Sequence, residues 1–151
     1  MNTQGRGRNN RSRQEDPIQD IINRVKNAAS LKEVFRPENY ALHNGWAHRT
    51  AKMLNKDAMN TNQLRKVFTQ LKTIESKMDR NPGVEITHEQ KNEVLLIMPQ
   101  IAYARGRNLI PVSFYNLMKE CVRPEKIRDK EDYKSFVGFF TAVIAYSKMG
   151  R

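Results

Sequence analysis

Two groups of side chains in this sequence have the types and spacing to do chemistry, and both are cationic. The first lies where Leu64, Val67, Phe68, Leu71, Ile74 and Met78 recur at three- and four-residue steps, the pattern of an amphipathic helix. Arg65, Thr69 and Lys72 fall on the side away from Leu64 and Leu71, and Lys66 and Lys77 extend that face. Arg65 stands in the first turn, where free backbone N–H groups attract phosphate. Asn62, Gln63, Arg65 and Lys66 can therefore grip a sugar–phosphate backbone together, although a solvated helix face has the same appearance. The second group is Tyr103, Arg105, Arg107 and Asn108. Arginines beside a C-terminal glycine complement the helix dipole. A tyrosine with two arginines is also a combination that contacts RNA, by stacking and by charge. Arg49, Lys52 and Lys56 read as a diffuse positive field.

The residues of catalysis are present without their arrangements. His43 and His48 are five apart, which does not set them on one helix face as metal ligands, and His88 is isolated. Cys121 lies on an apolar stripe and reads as a small core residue. Asp129, Glu131 and Asp132 cluster at a helix start, where the dipole favours them. There is no glycine-rich phosphate loop and no nucleophile elbow. Trp46 reads as core or interface packing. The expectation is a protein that is not an enzyme and takes no metal or cofactor.

Composition agrees with a polyanion as partner. The 151 residues carry a formal net charge of +11, a large excess for one small domain. No apolar run is long enough to span a membrane, and the polar N-terminus is not a signal peptide. A single cysteine permits no internal disulfide and fits a reducing cytoplasm. Residues 1–16 form a basic Arg/Gly tail, with Arg6, Arg8, Arg11 and Arg13 and no large apolar side chain after Met1. Such a segment is expected to be disordered, serving either RNA contact or solubility.

Residues 17–151 must position these groups, and they read as a single all-α domain, a compact bundle of about five to six helices. Pro17 opens the first, with Ile18, Ile21, Ile22 and Val25 on one face. A second is expected from Pro37 to Leu54, weakened by Gly45. The third carries the first cationic group, is capped by Asn60 or Thr61, and ends at Asn81-Pro82-Gly83. Thr87 and Gln90 form a capping box for the fourth, whose apolar face is Val94, Leu95, Met98, Ile101 and Ala102. Pro99 should kink it and Gly106 stop it. The fifth runs from Pro111 through Phe114, Leu117, Met118 and Cys121. The last, from Asp129, is apolar nearly all round, so it is central or meets another subunit.

Three segments, in order, resemble one family. Thr61-Asn62-Gln63-Leu64-Arg65-Lys66-Val67-Phe68 is similar to a helix start of the small subunit of the type III-A CRISPR (Csm) effector complex. Leu96 to Arg107, with its mid-helix proline and Tyr-x-x-Gly-Arg end, resembles that family's second signature. Phe139 to Tyr146 resembles its closing aromatic helix. Asn62, where a small hydroxyl residue is usual, and Thr141, where an acid is common, depart from the pattern. The resemblance implies a subunit without nuclease activity, ranged with neighbouring copies of itself against the backbone and large subunits. It would help to hold guide RNA paired with target RNA in antiviral defence. Arg65 and Lys66 match the first motif's basic positions and Arg107 the second's; Gln63, Thr69, Lys72, Tyr103 and Arg105 complete the expected RNA-binding set. The rival readings are a helical DNA-binding regulator and a scaffold for acidic protein partners.

Overall fold

In the computed structural model, which describes residues 16–150, every regular element is helical. The Arg/Gly tail falls outside the described residues, except Asp16. Its carboxylate accepts a hydrogen bond from the Gln19 backbone N–H (2.9 Å) and so caps α1, Pro17–Asn27. A 3-10 turn at Leu31–Glu33 and the single-turn α2, Pro37–Tyr40, lead to α3, Trp46–Lys56. Then come α4, Thr61–Asp79; α5, His88–Leu95; α6, Ile97–Gly106; α7, Val112–Cys121; and α8, Lys130–Met149. Among the described residues this makes seven helices of two turns or more besides α2, a little finer than the expected five to six. None of these helices is long and apolar enough to cross a membrane.

α8 is the central element. Tyr133, Phe136, Val137, Phe139 and Phe140 are all buried, each large side chain contributing about 1.5–3 kcal/mol of burial. The helix runs antiparallel to α4. Phe140 stacks on Phe68 (6.2 Å), and the buried Tyr133 hydroxyl donates to the Leu71 carbonyl at 2.7 Å. α3 lies alongside α8 in the same direction, with Tyr40 edge-on to Phe139 and His48 stacked on Tyr146. Phe35, just after the 3-10 turn, packs between Phe136 and Phe139.

Two expected helices are broken, each for a local reason. The helix read from Pro37 to Leu54 is interrupted at residues 41–45, where Asn44 takes a left-handed conformation (φ 63°). A Cβ on Gly45 would lie 2.8 Å from the Leu42 carbonyl oxygen, so only glycine closes this turn. Leu42, inside the span expected to be helical, stands 71% exposed. The fourth expected helix becomes α5 and α6, with the break at Leu96, three residues before Pro99. A proline ring clashes with the carbonyl four residues earlier, here Leu95, which places the break upstream of the proline itself. The break rotates the buried face, so that Val94, Ile97, Ile101 and Ala104 point inward and Ala102 is exposed.

Candidate nucleic-acid interface

The start of α4 and the end of α6 are fastened to each other. The Asn60 side chain caps α4 by accepting from the Gln63 backbone N–H (3.0 Å), while the Asn60 backbone N–H donates to the Leu109 carbonyl (3.2 Å). Leu109 is held by the close of α6. Asn108 is left-handed (φ 60°), Leu109 N–H donates to the Ala104 carbonyl (3.0 Å) and Asn108 N–H to that of Arg105 (3.0 Å). This is a Schellman closure with asparagine in the glycine position. Further along, the side chains of Gln70 and Gln100 are hydrogen-bonded across the two helices.

Between the fastened ends lies an open groove of about 330 Å³, lined by Gln63 and Lys66 from α4 and by Pro99, Gln100, Tyr103 and Ala104 from α6, with Arg107 and Leu109 just beyond its end. Its floor is closed, since the gap bounded by Val67, Ile101 and Phe114 leaves only about 20 Å³. The Arg107 guanidinium sits over the Tyr103 ring, 5.8 Å from its centroid. Tyr103 is 69% exposed, the most exposed aromatic ring among the described residues' large apolar side chains. Of the residues singled out from the sequence, Gln63, Lys66, Tyr103 and Arg107 thus meet in one place.

The other four point elsewhere. Arg65 and Thr69 are exposed farther round α4, on the side away from the core. Lys72 is paired with Glu75 at 2.8 Å, which also accounts for a carboxylate near the apolar edge of that helix. Arg105 is half-buried and turns back to donate to the Ile110 carbonyl (3.4 Å). No described acidic side chain pairs with Arg65, Lys66 or Arg107. The sequence explains why: residues 58–74 and 94–119, the stretches that build the groove, contain no Asp or Glu. That gap is a signal the cationic residues alone do not give. Pro99 and Gln100 were not singled out as lining residues, although their steps to Tyr103 and Arg107 are those of one helix face.

At the opposite end of α4 the charges are engaged. Lys77 pairs with Glu93 (3.0 Å) and Asp79 with Lys134. The acidic cluster at the start of α8 does more than favour a dipole. Asp129 caps the helix and pairs with Lys32 at 2.7 Å. Burial works to raise the Asp129 pKa, but the hydrogen bond from Lys32 and that from the Asp132 N–H outweigh it and hold it below the usual carboxylate value. Asp132 is fully buried and accepts from the backbone N–H groups of Lys32 (2.9 Å), Arg128 (2.9 Å) and Asp129 (3.3 Å). Lys126 donates to the Ala28 carbonyl at the close of α1, and Lys130 to the Asn81 carbonyl (2.7 Å). Elsewhere, Cys121 is buried in the core, and burial pushes its thiol pKa up, away from nucleophilic use. His48 Nδ1 accepts from the Asn44 N–H (2.9 Å) and its ring lies 4.5 Å from that of His43.

The family model Csm2 Type III-A matches residues 37–150. No curated protein and no solved structure matches.

Proposed function

The chain belongs to the Csm2 type III-A family, the small subunits of the type III-A CRISPR effector complex, and from that membership and the cationic groove we propose that it is a non-catalytic RNA-binding subunit. In this reading it helps to hold guide RNA paired with target RNA along the complex, in contact with the backbone and large subunits and with neighbouring copies of itself. The observation that carries the reading is the convergence of Lys66 and Arg107, from two separate motifs, on one acid-free groove with an exposed tyrosine. Two cations that share a groove with no carboxylate repel each other, and a phosphodiester chain relieves that repulsion. The asparagine-capped start of α4 adds backbone N–H groups close by.

The test is a pair of double variants that change net charge equally. Lys66→Ala with Arg107→Ala is expected to weaken single-stranded RNA binding about tenfold and to reduce the slope of log K against log salt by about 1.4. Thermal stability should move by no more than about 0.5 kcal/mol, because both side chains are exposed. Lys52→Ala with Lys56→Ala, outside the groove, should cost markedly less affinity. Equal losses would reduce the groove to part of a general field. Normal RNA binding with failed assembly would turn the reading toward a scaffold.

A further inference from the structure

We propose that the groove between α4 and α6 receives a single unstacked nucleotide, its base laid on Tyr103, rather than one face of an intact duplex. This rests on the RNA-binding reading above and adds to it what the site holds.

Size argues first. At about 330 Å³ the groove is at the small end of the roughly 300–1,000 Å³ typical of small-ligand clefts, which suits one nucleotide and no part of a paired helix in depth. Chemistry argues next. An exposed tyrosine on its own needs no explanation, but Tyr103 lines a cationic groove, where an aromatic ring offers a base a stacking surface. Here the Arg107 guanidinium lies 5.8 Å from the Tyr103 ring centroid, and the ring lines the groove while 69% exposed. A ring and a guanidinium side by side both stack on bases, and such stacking is sequence-tolerant because every base has a π-face. In A-form RNA the bases are already stacked and paired, so an aromatic side chain can reach only one that has left the helix.

The other lining side chains fit the rest of a nucleotide. The Gln100 side-chain oxygen is taken by Gln70, so Gln100 presents its N–H groups, and Lys66 and Arg107 bring cations. These are donors, matched to phosphate oxygens, the ribose and base carbonyls. Pro99 and Leu109 supply apolar surface for the edge of the base. A duplex held by phosphate contacts alone would need the cations and would make no use of the ring or the amides.

The full chain is titrated with two RNA duplexes that differ only in one unpaired nucleotide, a 2-aminopurine whose fluorescence reports stacking. The bulged duplex is expected to bind more tightly than the perfect one, with the 2-aminopurine signal quenched on binding. Tyr103→Ala should cut affinity for the bulged duplex about tenfold, leave the perfect duplex within twofold and leave the salt slope unchanged. Tyr103→Phe, which keeps the ring, should restore both affinity and quenching. Tight binding to both duplexes with no preference for the bulge and no response to Tyr103→Ala overturns the proposal while leaving the RNA-binding reading intact. Failure to bind either duplex overturns both. Circular dichroism of Tyr103→Ala confirms folding; the position is exposed and alanine is a good helix former.

Discussion

At the start of α4, Arg65 and Lys66 meet no acidic partner among the described residues, and Arg107, just past α6, is in the same condition. At its far end Lys72 and Lys77 are paired with Glu75 and Glu93, Asp79 is paired with Lys134, and a few residues away Asp132 is buried among three backbone N–H groups. Toward one end the helix's lysines are paired within the chain, and at the other its cations have no carboxylate beside them. The division follows from the sequence of acids, which skip residues 58–74 and 94–119 and resume at Glu75 and Glu120. Charge engaged by its own fold contributes to stability, and charge left over contributes to association. Substitutions at the two ends should therefore move different observables.

The largest effect is expected at the paired end. Asp132→Ala leaves three backbone N–H groups around a fully buried position without their acceptor. Losing them should cost about 3 kcal/mol or more, a drop in thermal midpoint of roughly 6–12 °C for a chain of this size. RNA affinity measured well below the new midpoint should stay within twofold of the parent. A loss smaller than about 1 kcal/mol would mean that water replaces the carboxylate and that this end is not a structural anchor. A selective loss of RNA binding would abolish the contrast between the ends.

A smaller effect tests whether charge engaged inside the fold is felt as stability elsewhere too. Burial first, then Lys52 and His43, lower the pKa of His48 below its ordinary 6.5. The unfolded chain therefore binds a proton more readily, so the contribution of neutral His48 is fully present above about pH 6.5 and is lost as pH falls toward the folded value. The urea midpoint should decline between pH 7 and pH 5, before most carboxylates titrate. His48→Phe keeps a ring against Tyr146, where the parent rings lie 4.6 Å apart, and should flatten that decline. An equally steep decline in the variant would assign it to other groups.

Much of this arrangement was readable from the chain, and the failures have a common cause. The apolar stripe of α8 and the caps at Asn60 and Thr87 depend on residues within one or two turns of each other, and they formed as the pattern implied. The interruption at residues 41–45 depends on a 2.8 Å approach of the Leu42 carbonyl to the place where a Gly45 Cβ would be, which periodicity does not encode. Pro99 announced a break, but the steric clash acts on Leu95, so the buried face was misread by one step. The cationic character of both motifs was plain. Their meeting was not, because it is made by the bond from Asn60 to Leu109 and by Gln70 against Gln100, contacts between segments with no local signature. Asp132 looked like one more dipole acid for the same reason: its partner Lys32 is 100 residues away.

The smallest expected effect is the sharpest, because it compares two lysines on one helix. Lys66 lines the groove, and Lys72, a turn and a half later, lies 2.8 Å from Glu75 with its side chain 48% exposed. An exposed pair of this kind is worth about 0–1 kcal/mol, so Lys72→Gln should barely change stability. Its charge is already opposed by Glu75, and it releases few counterions to a nucleic acid, so RNA affinity should fall less than about twofold and the salt slope should hold. Lys66→Gln removes the same charge from the same helix and should take about 0.7 from the slope. Glu75→Gln runs the comparison backwards: it frees Lys72, so binding should tighten slightly and the slope should steepen. If Lys72→Gln costs as much as Lys66→Gln, pairing within the fold does not decide which cations are available, and the net charge alone governs binding. If the two lysines separate as expected and Glu75→Gln narrows the gap, the availability of each cation is set by its nearest carboxylate, which is the physical content of the difference between the two ends of α4.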